Sequence, residues 1–265
     1  MIQPFYIHYK KMRFFKLFIP KGVTKIGIRA FYKCDASIIV IQIGVTAIEK
    51  EAFADSKKLY SIEIYNPSIL TTIGVNAFSG CKVLTNIAIP NSVTTIGGGA
   101  FEYCKMLTSI TIPSGVTEIS TCTFEGCTNL NSVTFVRDSV TGVTSVTSIG
   151  KRAFSDCKSL GGITLPDSVT TIEDNAFGFC IALKSITIPE GITTIGVRTF
   201  KGCGDLENIT IPASVTTIGD GAFAGCTKLE NPTTSEAIEA KKKILDINQN
   251  AFDTKPSGGG SRKIK

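Results

Sequence analysis

The sequence predicts a repeat solenoid, mostly β with short helical turns, built from coils of about 23 residues. Three observations predict it. The segments that begin at Leu160, Leu183 and Leu206 share one pattern of apolar and polar positions. A phenylalanine recurs at spacings of 22, 25, 23, 23, 30, 23, 23 and 23 residues, and eight of the nine cysteines lie three residues after it. A fixed period between ~20 and ~50 residues is the signature of stacked repeats.

The recurring phenylalanine defines nine coils, numbered 1 to 9 in chain order: Phe31, Phe53, Phe78, Phe101, Phe124, Phe154, Phe177, Phe200 and Phe223. Two residues are added between Ile64 and Leu70 in coil 3, and seven between Phe135 and Ile149 in coil 6. Insertions in repeat arrays form loops on one face. Residues 136–145 are therefore predicted to project as a surface loop, either a tolerated one or a contact loop.

Coil 8 illustrates the structure predicted within each repeat. Ile186 and Ile188 alternate with Ser185 and Thr187, which is the period of a strand with one buried face. Pro189 ends this strand because proline cannot donate to a ladder. The segment GITTIG that follows is rich in β-branched residues, and the next one, VRTFKGC, lacks strand alternation. We predict that the latter forms one short helical turn whose phenylalanine fills the interior.

The eight cysteines that lie three residues after a recurring phenylalanine are here called the cysteine column. They are predicted to be free, buried thiols. Neighbouring coils lie ~4.8 Å apart, which permits a disulfide by distance. Side chains in register point in parallel rather than toward each other, which disfavours that bond. Cys122 is the one cysteine outside the column, and we expect it to be the most exposed thiol.

The chain divides into four regions: a 1–13 N-terminal extension, a 14–229 repeat array, a 230–253 degenerate capping repeat and a 254–265 flexible tail. The basic and apolar composition of the N-terminus is similar to that of a targeting segment. However, Phe14, Leu17, Ile19 and Pro20 fit the repeat, so this stretch is interpreted as a first strand. The alternative of an unusual signal or anchor stays open.

Residues 235–252 allow two interpretations. A serine start, an acidic first turn and the run AIEAKKKIL favour a helix. Ile244, Ile247, Ala251 and Phe252, however, reproduce the spacing of the repeat. We favour a degenerate final coil that acts as a cap, and leave the helix as the alternative.

Charge and hydropathy exclude two classes of partner. The net charge of +6 comes from the ends, because residues 35–240 carry 13 basic and 20 acidic side chains. A nucleic-acid-binding protein is expected to carry its basic stripe on the fold itself, so none is predicted. The chain also lacks the long apolar run of a membrane span.

No pattern in the chain predicts an active site, a cofactor or a metal site. His8 is the only histidine and lies outside the repeats. The cysteine column has no neighbouring histidine and no C-x-x-C pairs, so zinc spacing fails. A residue repeated in every coil is also unlike a nucleophile, which is needed once. The protein is predicted to be no enzyme.

The outward side of the strands is the predicted contact surface. Most coils place serine and threonine there, as in Ser185 and Thr187. The N-terminal coils place other residues there instead: Lys16, Phe18, Val40, Gln42, Tyr60, Glu63 and Tyr65. Exposed aromatic side chains mixed with charges are typical of interface hot spots. We therefore predict that a protein partner binds Lys16, Phe18, Gln42, Tyr60, Glu63 and Tyr65.

The repeat unit LxxIxIPxxVTxIGxxAFxxCxx resembles that of the BspA-like, treponemal-type leucine-rich repeat family. The match runs from about Phe14 to Leu229 and fades towards Phe252, and Ser56 departs from it by replacing the cysteine of coil 2. The resemblance implies a right-handed curved solenoid with a strand-lined face and no catalytic residues. It also implies a surface or secreted protein that binds host or matrix surface proteins, although the chain shows no evident signal peptide.

Two other functions are compatible with the same residues. The chain could be a structural spacer or sensor module of a larger multidomain protein, which the abrupt ends and the glycine-rich tail suggest. It could also use its threonine array to bind ice or carbohydrate. The oligomeric state is not predicted.

Overall fold

A computed structural model describes residues 15–254 of the chain. The predicted N-terminal extension, His8, Phe14 and residues 255–265 lie outside the described residues. Within this range the chain forms a β-solenoid of nine coils, as the repeat predicts. Every coil except coil 7 contributes a strand of two to four residues to one series of parallel pairs, here called the long ladder. Every coil contributes a two-residue strand to a second series, the short ladder.

The long ladder follows the L-x-x-I-x-I segment of each repeat. Its strands are β1 Lys16–Phe18, β3 Ile38–Ile41, β5 Ser61–Ile64, β7 Asn86–Ile87, β9 Ser109–Ile112, β11 Ser132–Phe135, β14 Ser185–Thr187 and β16 Asn208–Thr210. Coil 7 joins through an isolated bridge between Gly162 and Ser185. All pairs are parallel and hold equivalent repeat positions side by side, for example Ile39 beside Ile62. This register puts the same apolar side chain inward in every coil.

The short ladder follows the V-T-x-I segment. Its strands are β2 Lys25–Ile26, β4 Ala47–Ile48, β6 Thr72–Ile73, β8 Thr95–Ile96, β10 Glu118–Ile119, β12 Ser148–Ile149, β13 Thr171–Ile172, β15 Thr194–Ile195 and β17 Thr217–Ile218. Only the isoleucine of each strand is buried. The threonine before each strand carries a hydroxyl that in several coils donates to the carbonyl of its equivalent one coil earlier, for example Thr46 Oγ1 to Thr24 O at 3.0 Å.

The segment around the recurring phenylalanine is a series of tight turns, whereas the sequence predicts a short helical turn. In coil 1, Ala30, Tyr32 and Cys34 donate backbone bonds to the residue three positions earlier, while Arg29, Phe31 and Lys33 donate to coil 2. Two residues per coil have a positive φ, here Arg29 and Lys33 at 55°. An α-helix would need every residue in the right-handed region, so the alternating conformation replaces it.

The phenylalanine rings form the centre of the core. Consecutive rings from Phe31 to Phe223 are stacked, with centroids 5.3–5.6 Å apart and interplanar angles of 2–15°. The rings of coils 2 to 9 are fully buried, and Phe31 in coil 1 is partly exposed. Because each ring touches the ring of the coils before and after it, the stack links all nine coils into one core.

Coil 9 is followed by two helices, α1 Thr227–Glu230 and α2 Ser235–Ile247. Thr234 begins α2 by accepting a bond from Ala237 N. The helix was the less favoured interpretation of the sequence, and it is present. Features of a degenerate coil follow it: Phe223 N donates to Ala251 O at 2.8 Å, and Phe252 lies 5.9 Å from Phe223 between ring centroids. A capping role for residues 230–253 stays a prediction.

Candidate binding surface

The predicted contact residues lie on the outward side of the long ladder in coils 1 to 3. Lys16 and Phe18 belong to β1 and Glu63 belongs to β5. Gln42 and Tyr65 follow β3 and β5 directly. Strand alternation turns these positions away from the core, because the residues next to them in the strands, Leu17, Ile41 and Ile64, face inward.

The structure brings three of the predicted residues together. Lys16 Nζ lies 2.8 Å from Glu63 Oε2 and 3.1 Å from Glu63 Oε1, so this ion pair crosses coil 2. The same ammonium lies 5.5 Å from the centre of the Phe18 ring. Both side chains of the ion pair are more than a third exposed, so the pair adds less than about 1 kcal/mol to stability. Its main effect is to fix charged groups beside an exposed ring.

Val40 is a correction to the predicted surface. It lies between Phe18 and Glu63 in the ladder register, but it is fully buried. The Lys16–Glu63 pair crosses β3 beside it, and the Phe18 ring lies next to it. Val40 therefore supports the cluster from below and offers no contact area to a partner.

The other predicted residues lie at the two ends of the strands. Tyr65 N donates to Ile41 O at 3.1 Å, which places Tyr65 beside Gln42 at the end of β5. The Tyr65 side chain is about half exposed and Gln42 is half-buried. Tyr60 precedes β5 and is also half-buried, with its N–H bonded to Ser37 O at 2.9 Å. A four-residue strand separates the two tyrosines, so they do not form one patch.

One exposed ring next to this cluster was missed from the sequence. Phe15 precedes β1 and is 42% exposed. The outward positions of the first strand, Lys16 and Phe18, were considered from the sequence, but the residue that precedes the strand was not. The strand alternation that singled out Phe18 carries no signal for a residue outside the strand.

The cysteine column has a hydrogen-bonding role that the sequence does not reveal. All nine thiols are free, and the column members from Cys81 onward are buried. Each of these donates to the carbonyl of the phenylalanine one coil earlier, as Cys127 Sγ does to Phe101 O at 3.1 Å. Ser56 makes the equivalent bond, with Oγ 3.0 Å from Phe31 O. In coils 2 to 9 the position therefore holds a small buried donor.

The thiols are poorly suited to nucleophilic chemistry. Burial raises the pKa of the Cys81 thiol to about 12. Cys122, which was expected to be the most exposed thiol, is half-buried, as Cys34 is. Burial together with Glu125 raises the pKa of Cys122 to about 12. A thiolate is the reactive form of cysteine, so these groups stay protonated at neutral pH.

An acidic pair lies on the turn side of coils 4 and 5. Glu125 is buried, with Oε1 3.4 Å from Arg152 Nη1 and Oε2 without a hydrogen-bond partner among residues 15–254. Glu102 accepts a bond from Ser79 Oγ at 3.3 Å, and burial, with Glu125 nearby, raises its pKa. In the part of the chain described, no three histidine, cysteine or acidic residues form a metal-binding group.

A shallow cleft of about 430 Å³ lies on the short ladder of coils 6 to 8. Its acidic side chains are bonded to backbone: Glu173 Oε2 accepts from Lys151 N and Asp174 Oδ1 from Val197 N, both at 2.8 Å. The rest of its lining consists mainly of threonine. The cleft lies apart from the predicted contact residues, which are on the other ladder.

The helices between residues 15 and 254 are all too short or too polar to cross a bilayer.

Three solved structures of leucine-rich repeat proteins are similar to this chain. A leucine-rich repeat protein from Eubacterium ventriosum is 28% identical with a TM-score of 0.57, over 79% of this chain and 64% of that one. A leucine-rich cell surface protein from Faecalibacterium prausnitzii is 28% identical with a TM-score of 0.47, over 80% of this chain and 85% of that one. The Treponema pallidum leucine-rich repeat protein is 24% identical with a TM-score of 0.49, over 87% of this chain and 83% of that one.

A search of the curated proteins finds no sequence that matches the chain. The model of the BspA type leucine rich repeat region, in contrast, matches six copies across residues 4–131 and 137–257. These two stretches include all nine recurring phenylalanines and most of the chain. The chain therefore belongs to the BspA-type leucine-rich repeat family.

Proposed function

We propose that the protein is a non-catalytic scaffold of the adhesion type, which binds a protein partner with the outward face of the long ladder in coils 1 to 3. The observation that carries the proposal is the cluster of Lys16, Phe18 and Glu63. An exposed ring is held beside a fixed ion pair, and Tyr65 adds a second exposed ring at the end of β5, the strand that carries Glu63. Aromatic side chains dominate the free energy of many protein interfaces.

The rest of the same face supports this location. In coils 5 to 9 the outward positions of the long ladder hold small hydroxyl-bearing or amide side chains and glycine. Side chains of this size bury little apolar area when a partner binds. Only the first coils offer rings and unlike charges together, so an interface here gains both burial and electrostatic specificity.

Absence of catalysis is supported by the state of the reactive side chains. Burial raises the pKa of column thiols such as Cys81 and Cys203, and the single histidine of the sequence, His8, lies outside residues 15–254. The arrangement lacks a nucleophile with an adjacent base.

The experiment is a binding assay of the full chain against purified extracellular-matrix and cell-surface proteins. A triple variant, Phe18→Ser with Glu63→Gln and Tyr65→Ser, is expected to lower affinity for the best binder at least ~10-fold. The matched control replaces Thr134, Thr164 and Thr187 by alanine on the same face in coils 6 to 8, and is expected to bind normally. Equal affinity of the triple variant and the wild type would contradict this site. Binding to no protein of the panel would favour the spacer or sensor function.

A further inference from the structure

The backbone of each coil is bonded to the next coil along both ladders. In the long ladder, Ile112 O accepts from Val136 N of the following coil at 2.9 Å. In the short ladder, Ile195 O accepts from Gly219 N of the following coil at 2.8 Å. Backbone carbonyls at these positions need a donor. Coil 9, the last coil of both ladders, therefore needs donors from a different source.

Two side chains take the place of the backbone donors in coil 9. Lys243 Nζ, from α2, donates to Ile211 O at 2.6 Å and to Pro212 O at 3.2 Å. Asn248, which directly follows α2, donates from Nδ2 to Ile218 O at 2.8 Å. Ile211 and Ile218 occupy the repeat positions whose carbonyls bond to the next coil elsewhere in the array. Each ladder thus ends on one side-chain donor.

The degenerate repeat explains why the donor of the short ladder is a side chain. Asn248 lies 29 residues after Gly219, as Phe252 lies 29 residues after Phe223. It therefore holds the position whose backbone N–H pairs with the preceding coil. In this segment the strand is replaced by a helix, and Asn248 N donates to Ile244 O at 2.9 Å instead. The side-chain amide supplies the bond that the backbone no longer makes.

Residues 235–252, here called the strap, cover the remaining sides of coil 9. The helix α2 packs against β16 and β17, and its buried residues are Ala237 and Ile244. On the turn side, Gly221 N donates to Asn250 O at 3.0 Å. The strap thus occupies the place that one more coil would take.

An open end of the array is a template for a second copy of the chain. Unpaired strand edges pair readily with other strands. Within residues 15–254, β1 and β2 are the first strands of their ladders and carry the same repeat as coil 9. Residues 15–34 carry five basic and no acidic side chains, whereas residues 205–254 carry eight acidic and four basic ones. Opposite charge at the two ends favours head-to-tail contact, which continues from molecule to molecule without closing.

We propose that Lys243 and Asn248 close the two ladder edges of coil 9 and so block its pairing with the first coil of a second copy. The strap then covers a self-association surface. When the strap is displaced, a second copy continues both ladders in parallel register. Self-association of this kind uses strand edges, so it is independent of partner binding by the outward face of coils 1 to 3.

The test measures the mass of the full chain by size-exclusion chromatography with light scattering over a range of concentrations. The double variant Lys243→Met with Asn248→Asp removes both donors and keeps the size of each side chain. The aspartate also keeps the Oδ1 that accepts from Asn250 N at 2.8 Å. We expect the double variant to self-associate at least ~10-fold more strongly than wild type.

The matched control is Lys242→Met with Gln249→Glu. It makes the same change of net charge at two exposed residues next to the two donors. Its mass is expected to equal that of wild type at every concentration. Lys243→Arg keeps a charged donor and is expected to self-associate within about twofold of wild type.

A further variant tests whether the first coil is the partner edge. Lys21→Glu and Lys25→Glu, added to the double variant, reverse two exposed charges of coil 1. The first coil then repels the acidic end of a second copy, and the mass is expected to return to the wild-type value. Circular dichroism checks that each variant keeps its β-sheet signal.

The outcomes are distinct from those of the partner-binding assay. An unchanged mass of the double variant at every concentration overturns the proposal. Association that survives the charge reversal, or that also occurs in the matched control, overturns it as well. If the double variant does not fold, Lys243→Met and Asn248→Asp alone, each opening one ladder, undergo the same test. Failure of the coil 1 to 3 surface to bind a protein leaves these results unaffected.

Discussion

The stacked phenylalanines inside the solenoid and the outward face of the long ladder follow the same repeat. Their residue types, however, vary to different degrees along the array. The ring stack is nearly uniform from coil 1 to coil 9, with centroid distances between 5.3 and 5.6 Å. The outward positions change from Lys16, Phe18 and Glu63 to serine and threonine. Each inner side chain contacts its equivalents in the neighbouring coils, so packing dictates its identity. The outward side chains have no such requirement, and their departures from the repeat can therefore serve binding.

The largest expected effect tests this difference directly. Phe124→Ala removes a fully buried ring that stacks on Phe101 and Phe154. We expect a loss of about 3–5 kcal/mol in the free energy of unfolding, because the cavity lies within a close-packed stack. The control is Phe18→Ala, whose ring is about half exposed, with an expected change of about 1 kcal/mol or less. Urea unfolding followed by circular dichroism measures both, and equal losses would contradict the comparison.

The sequence predicts the stacked phenylalanine core well and the backbone conformation of the turns around it poorly. The 23-residue period, the inward isoleucines and the phenylalanine core follow from spacing alone, because stacking repeats every contact. The short helical turn was wrong because residues such as Tyr103 and Phe179 adopt a positive φ that their side chains normally disfavour. Glycine, asparagine and aspartate at equivalent positions, such as Gly126, Asn76 and Asp55, are the residues that signal this conformation.

The candidate surface could be predicted only in part. Alternation along the strands identified Lys16, Phe18 and Glu63, and the ladder register brought them together. Val40 was wrong because its outward side lies between two large neighbours, which no single-sequence pattern shows. The conformation of the loop of residues 136–145 was not predicted beyond the existence of the loop. It depends on the bonds that Asp138 makes to Val140 and Thr141 within the loop.

A smaller effect is expected where the turn conformation meets an aromatic side chain. Gly126 has φ 72°, and a Cβ there would lie 2.3 Å from the Tyr103 ring of the preceding coil. Gly126→Ala is expected to lose about 2–4 kcal/mol, from the left-handed backbone and the steric overlap together. Gly225→Ala is the matched control, because its φ is 75° but its added Cβ would lie 3.6 Å from the nearest atom, Gly202 Cα.

The two glycines separate backbone strain from steric overlap. Gly225→Ala should lose only about 1–2 kcal/mol in urea unfolding. Adding Tyr103→Ala to Gly126→Ala should recover the overlap part, and the double-mutant cycle gives its size. If both glycine variants lose the same free energy, the ring contact contributes nothing.

The cysteine position gives a third, smaller test, because coil 2 already carries the substitution. Ser56 Oγ donates to Phe31 O and accepts from Cys34 N at 3.1 Å. Ser56→Ala removes both bonds from a buried site, and we expect a loss of about 1–3 kcal/mol. Ser56→Cys restores the donor found in the other coils and is expected to stay within about 1 kcal/mol of wild type. Chemical unfolding ranks the three proteins, and equal stability of the alanine and cysteine variants would show that only size matters.

The smallest effects are changes of stability with pH. They have opposite signs for Glu102 on the turn side and for Asp138 in the loop of residues 136–145. Glu102, on the turn side, has a pKa raised above its usual value of 4.5 by burial and Glu125. The folded state therefore holds this proton at a pH where the unfolded state has lost it. The stabilisation is complete below the unfolded pKa and is lost as pH rises through the folded one. Glu102→Gln should flatten stability above pH 4.5.

Asp138, in the outward loop, has a pKa lowered from 3.8 by its bonds to Thr141 and Val140. Its contribution is present above the unfolded pKa and is lost as pH falls through the folded value. Thermal unfolding between about pH 2.5 and 7 is expected to show Asp138→Asn converging with wild type only at the acid end. Glu102→Gln is expected to differ in slope only above that region. If the stability of both variants changed with pH in the same direction relative to wild type, the contrast between Glu102 on the turn side and Asp138 in the loop of residues 136–145 would be wrong.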